Sequence, residues 1–224
     1  MYKILFIDEQ QEDIDDFMDY IDATKTENNV EVVAEFPLET LDEMIQVIFK
    51  HNPDAVITDF MLNEYKEIVK YNVPYNGVDL VKELLSIRQG FPCFVMTALD
   101  DDAINVSNDV NIVYIKNILH GSEKNTKAKA NFLERVESQI MHYTSEIQEA
   151  EKRICHLIEL RNTGQATLED ENEIIHLDHI LENSIDKRCS IPEQYKTLSN
   201  TKRLENILSK VDELLNKIEN TDGK

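Results

Sequence analysis

Over residues 1–120, short apolar runs alternate with amphipathic stretches. Lys3–Ile7 (KILFI) is too short for a helix and runs into Asp8 and Glu9, which predicts a strand. Ile14, Phe17, Met18 and Ile21 then follow helical spacing. The β-branched run Val30–Phe36 predicts a second strand, and Leu38–Lys50 sets Leu41, Met44, Ile45 and Ile48 on one helical face. Ala55–Thr58 is a third strand ending on Asp59, and Val78–Ile87 is another helix. Cys93–Thr97 gives a fourth strand, and Asn111–Ile115, ending at Lys116, a fifth. This alternation predicts an α/β fold, a doubly wound five-stranded parallel sheet, over residues 1–122. Ligands of such sheets bind beyond the carboxyl ends of the strands.

The remainder, 123–224, has a different rhythm. Leu133, Val136, Ile140, Tyr143, Ile147, Ala150, Ile154 and Leu157 recur at steps of three and four, the pattern of a coiled-coil seam. Gly164 breaks the helix, Leu168–Ile185 forms a second, and Cys189–Pro192 breaks again. Leu204, Leu208, Val211, Leu215 and Ile218 mark a third. An all-α helical hairpin, coiled coil or small bundle is expected, serving as an output or dimerisation region.

Composition narrows the functions. The chain has 224 residues, 42% of them hydrophobic, and a formal charge of −21. Residues 1–120 hold 24 of the 44 acids and 8 of the 23 bases, a net of −16, which leaves −5 for the rest. A polyanion gains nothing from the counterion release that drives nucleic-acid binding. No apolar run approaches the roughly 20 residues of a membrane span, and no signal peptide is visible. Nucleic acid and membrane are therefore not expected as partners. Three cysteines, odd in number and far apart, fit a reduced cytoplasmic protein.

The strand ends carry the chemistry. In the order 2-1-3-4-5, strands 1, 3, 4 and 5 are consecutive neighbours, so Asp8, Glu9, Asp59, Thr97 and Lys116 converge on one crevice. Adjacent carboxylates repel unless a cation sits among them, and oxygen ligands of this kind suit Mg²⁺. In these residues the first ~120 positions resemble the flavodoxin-like receiver domain of two-component response regulators. The resemblance implies Mg²⁺ held by Asp8, Glu9, Asp59 and the backbone carbonyl of Met61, with Asp59 as phosphoacceptor. It implies that Thr97 and Lys116 stabilise the phosphoryl group, that Ala98 follows the switch threonine, and that a sensor histidine kinase or phosphotransfer protein is the donor. Any enzymatic activity implied is at most Mg²⁺-dependent self-phosphorylation and dephosphorylation.

The sequence also departs from the family. Leu62–Asn63 replaces the usual Met-Pro, and the matching glycine, Gly77, lies 18 residues beyond Asp59. About ten extra residues, near Asn63–Val73, are read as a surface elaboration. Asn117 follows the lysine in place of Pro, and the aromatic switch position is Val113, with Tyr114 one residue later on the opposite face. Glu173, His176 and His179 lack the second copy that a di-iron site needs. No helix-turn-helix with basic residues is visible. The expected function is phosphorelay signalling through a homodimer or a helical protein partner. The alternatives are a pseudo-receiver that dimerises or binds a partner without phosphorylation, and an aspartate-nucleophile phosphatase, against which Gln10 speaks.

Overall fold

The structure is a computed structural model and describes residues 1–24, 29–63, 68–97, 113–116, 132–197 and 209–211. Three β/α steps and a fourth strand lead the chain: β1 (Tyr2–Ile7), α1 (Gln11–Ala23), β2 (Val30–Glu35), α2 (Leu41–His51), β3 (Ala55–Asp59), α3 (Gly77–Ile87) and β4 (Cys93–Thr97). β5 (Val113–Ile115) follows, then a long α4 (Phe132–Asn162) and α5 (Leu168–Asp186). All strands pair in parallel, in the order β2-β1-β3-β4-β5. β3 and β4 are buried at every position, as central strands covered on both faces are.

Strand side chains alternate faces, and two cores result. Leu5, Ile7, Val56 and Val95 join Met44, Ile45 and Ile48 of α2 and Leu80, Val81 and Leu84 of α3. Ile4, Phe6, Ile57, Phe94 and Met96 join Ile14 and Phe17 of α1 with Phe132, Leu133, Val136 and Ile140 of α4. Phe6 and Phe17 stack at 4.3 Å. The first turns of the expected seam therefore close the second face of the sheet. The contact pattern divides the chain into compact units Met1–Glu146 and Ile147–Lys224, well after the 122/123 boundary that the end of the β/α alternation suggests. The later residues Ala150 and Leu157 are buried in the second unit, and Ile147 and Ile154 are half-buried there.

Helix ends follow local chemistry. α2 begins at Leu41, not Leu38, because Thr40 caps it by accepting from the Glu43 N–H. Asn76 caps α3 in a reciprocal capping box with Asp79. The segment expected as a surface elaboration near residues 63–73 is only partly that over its described stretch 68–73: Ile68, Lys70, Tyr71 and Asn72 are exposed, but its two valines are not. Val69 and Val73 are 3% and 2% exposed within the α2/α3 core. The Tyr71 hydroxyl donates to the Pro37 carbonyl at 2.7 Å, and that of Tyr75 to Leu38 at 2.8 Å. The segment thus anchors itself over the loop that enters α2.

In the second unit, Arg153 grips Glu173 with two N–H groups at 2.8 and 2.6 Å, and His176 pairs with Glu193 at 2.8 Å. Ala98, residues 111–112, Asn117 and the third-helix positions Leu204, Leu208, Leu215 and Ile218 lie outside the described residues.

Candidate functional site

Register builds the site. Ile7 lies opposite Thr58, Asp59 opposite Met96, and Thr97 opposite Ile115. The residues that end or follow these strands (Asp8, Asp59, Thr97 and Lys116) therefore share one rim of the sheet. Asp8, Glu9, Asp59 and Thr97 are all buried. The Lys116 Nζ donates to Asp8 Oδ2 and lies at the same distance, 2.9 Å, from Asp59 Oδ1. The remaining oxygens of the two aspartates are also engaged. Gln10 N–H donates to Asp8 Oδ1 at 2.9 Å, and Met61 N–H to Asp59 Oδ2 at 3.0 Å.

A third carboxylate reaches the ammonium: Lys116 Nζ lies 2.5 Å from Asp13 Oδ2. Asp13 was not among the strand-end residues that the sequence pattern brought together. It lies in the first turn of the helix that leaves the β1 end, which is the one signal that pointed inward.

Gly77 fixes the floor. A Cβ there would lie 2.0 Å from the Asp59 carbonyl oxygen, and Gly77 N–H donates to the Phe60 carbonyl at 2.9 Å. Only glycine lets α3 start this close to the backbone of Asp59. Met61 leaves its side chain largely exposed. Tyr114 turns to the α1/α4 face, with its ring 5.9 Å from Phe94 and 4.8 Å from Phe132.

Electrostatics reflect one cation among three acids. Burial, reinforced by Asp8 and Asp13, raises the Asp59 carboxyl to about 7 against the pull of Lys116. Burial also raises Asp8 despite Lys116. Burial alone would lower the Lys116 ammonium, but Asp59 and Asp8 outweigh it and raise its pKa. Among the described residues, no three His, Cys, Asp or Glu side chains are gathered closely enough to hold a metal ion. Asp8 and Asp59 are nevertheless hard oxygen donors on one cation, the donor type that Mg²⁺ takes.

No protein-family model matches the chain, and no curated protein does. Solved structures that resemble it include response regulators. The anti-anti-sigma factor PhyR from Bartonella quintana has a TM-score of 0.42 and 12% identity, over 67% of this chain and 51% of that one. The chain thus spans about half the length of PhyR. The Mn²⁺-bound response regulator Rcp1 has a TM-score of 0.39 and 12% identity, over 58% of this chain and 100% of its own. RcsB of Salmonella typhimurium, described for its DNA interaction, has a TM-score of 0.37 and 17% identity, over 81% and 96%. Likenesses this distant carry no activity or partner into this chain. Among the described residues, no helix is long and apolar enough to cross a membrane.

Proposed function

We propose that this chain is a response-regulator-type phosphoacceptor in which Asp59 takes a phosphoryl group in a Mg²⁺-dependent reaction. The observation that carries the reading is one ammonium, Lys116, shared by three carboxylates at the carboxyl rim of a parallel sheet. Buried carboxylates in excess of their cation favour a second cation. Mg²⁺ commonly binds through one or two carboxylates and keeps several waters, so Asp8 and Asp59 suffice as direct ligands. Glu9 and the Met61 carbonyl complete the shell in this reading. When bound, Mg²⁺ would neutralise charge on Asp59 and on the phosphoryl oxygens.

The residues divide the work of the transfer. A carboxylate oxygen of Asp59 forms the new P–O bond while the bond from phosphorus to the donor's leaving group breaks. The leaving group, a carboxylate from an acyl phosphate or an imidazole nitrogen from a phosphohistidine, keeps the electron pair. Lys116 neutralises a phosphoryl oxygen, and the Thr97 hydroxyl donates to another, so positioning and charge supply most of the catalysis. Hydrolysis of the acyl phosphate returns Asp59 and inorganic phosphate.

The donor in this account is a sensor histidine kinase or phosphotransfer protein in the cytoplasm. Residues 147–224 signal to a helical protein partner or a second copy, not to nucleic acid or membrane, which the overall −21 charge supports. Incubation with radiolabelled acetyl phosphate and Mg²⁺ tests the reading. Label enters the wild type, chelation prevents it, and Asp59→Asn takes up none. Persistent uptake by the mutant would remove Asp59 as the acceptor.

A second reading is a pseudo-receiver that works without phosphorylation. One observation favours it: among the described residues, no three potential ligand side chains are arranged closely enough to hold a metal ion. It requires that titration calorimetry of the wild type with Mg²⁺ show no binding.

A further inference from the structure

Lys116 has three protons, and three carboxylates surround its nitrogen. Asp8 and Asp59 are 0% and 6% exposed in their side chains and belong to strand ends that the fold holds fixed. Asp13 differs from both. It lies on α1, its side chain is 26% exposed, and it makes the shortest of the three contacts, at 2.5 Å. A phosphoryl group arriving on Asp59 brings oxygens that need the same ammonium. Asp8 cannot withdraw without disturbing the core end of β1, whereas Asp13 has water on one side to receive it. Among the three carboxylates, Asp13 is the one that an incoming phosphoryl oxygen displaces most easily.

We propose that Asp13 is a positioning residue that holds Lys116 in the resting state and competes with the phosphoryl oxygens for its third proton. Asp13 then slows phosphoryl uptake and shortens the life of the acyl phosphate, because it draws Lys116 back. This deepens the phosphoacceptor reading and rests on it. It also ties α1 to the chemical state of Asp59 through one side chain. Bond making and breaking at phosphorus are unchanged. Asp13 accepts hydrogen bonds only, and no proton leaves Lys116.

The test compares wild type with Asp13→Asn, Asp13→Glu and Asp19→Asn at saturating Mg²⁺, using radiolabelled acetyl phosphate. Asp13→Asn takes up label roughly two- to fivefold faster and loses it more slowly by a similar factor, the range expected for one partly exposed ion pair. Asp13→Glu, which can still reach Lys116, behaves as wild type. Asp19→Asn, an exposed α1 acid, removes the same charge and leaves both rates unchanged. With Lys116→Ala as background, Asp13→Asn has no further effect. In metal-free protein, Asp13→Asn shifts the ¹⁵N resonance of the Lys116 ammonium and Asp19→Asn does not. Unchanged or slower uptake by Asp13→Asn, in a wild type that does take up label, overturns this proposal alone. A wild type that takes up none overturns the phosphoacceptor reading and this inference with it.

Discussion

The environment that encloses Asp59 works against its carboxylate. Its folded pKa, raised by burial to about 7, stands well above the ordinary 3.8. The native state therefore holds a proton more tightly than the unfolded chain does, and unfolding between these values releases it. The stability this contributes is fully present below about pH 4 and is lost as pH rises through about 7. In metal-free buffer, Asp59→Asn should gain stability relative to wild type between pH 4 and pH 8, read as the difference in denaturant midpoints. A constant difference across that range would mean that Asp59 carries no buried-charge penalty. Asp8, Asp59 and Lys116 were legible in the sequence because each closes or follows an apolar run, and parallel register brings strand ends together. Asp13 was not, because α1 carries acids at several neighbouring positions and only the rotation of the helix on the sheet selects one.

At the scale of elements, the entry to α3 sets the position of Asp59. Gly77→Ala places a Cβ against the Asp59 carbonyl, so β3 and α3 must separate. A loss of about 1–3 kcal/mol in chemical denaturation is expected, with Asp59 displaced from Lys116. Asn76→Ala, which removes only the cap, should cost about 1 kcal/mol. Equal effects of the two would show that close approach is not the role of Gly77. The extra segment is tested in the same way. Val73→Ala should cost ~2 kcal/mol as a buried truncation, whereas a surface elaboration would lose almost nothing. The strands and helices were readable because they are periodic. The burial of Val69 and Val73 was not, because their short alternation with Lys70 and Asn72 runs into Pro74 and fits an exposed loop as well, so only tertiary contact reveals that they are buried.

On the scale of the whole molecule, one helical rhythm serves two units. Leu133, Val136 and Ile140 repeat every three or four residues just as Ala150, Ile154 and Leu157 do, yet the first three pack on a sheet and the last three belong to the second unit. Periodicity reports that a face is buried, not what buries it, which is why residue spacing alone ended the first unit near 122. Truncation separates the two boundaries. A chain ending at Glu146 keeps Phe132, Leu133, Val136 and Ile140 and should unfold cooperatively. One ending at residue 122 loses four core side chains, each worth about 2–5 kcal/mol, and should not fold against a typical net stability of about 5–15 kcal/mol. A folded 1–122 chain by circular dichroism would contradict the assignment of α4 to the sheet. The charge follows the same division: the excess of acids lies with the first unit, and the second carries a net of −5.

The central claim is that the rim of this sheet accepts a phosphoryl group at Asp59, and mass spectrometry reads that chemistry directly. After incubation with acetyl phosphate and Mg²⁺, the intact protein should gain the mass of one phosphoryl group. Hydroxylamine should remove the adduct, and peptide mapping should trace it to Asp59. An unmodified protein, or an adduct traced to another residue, would contradict the account.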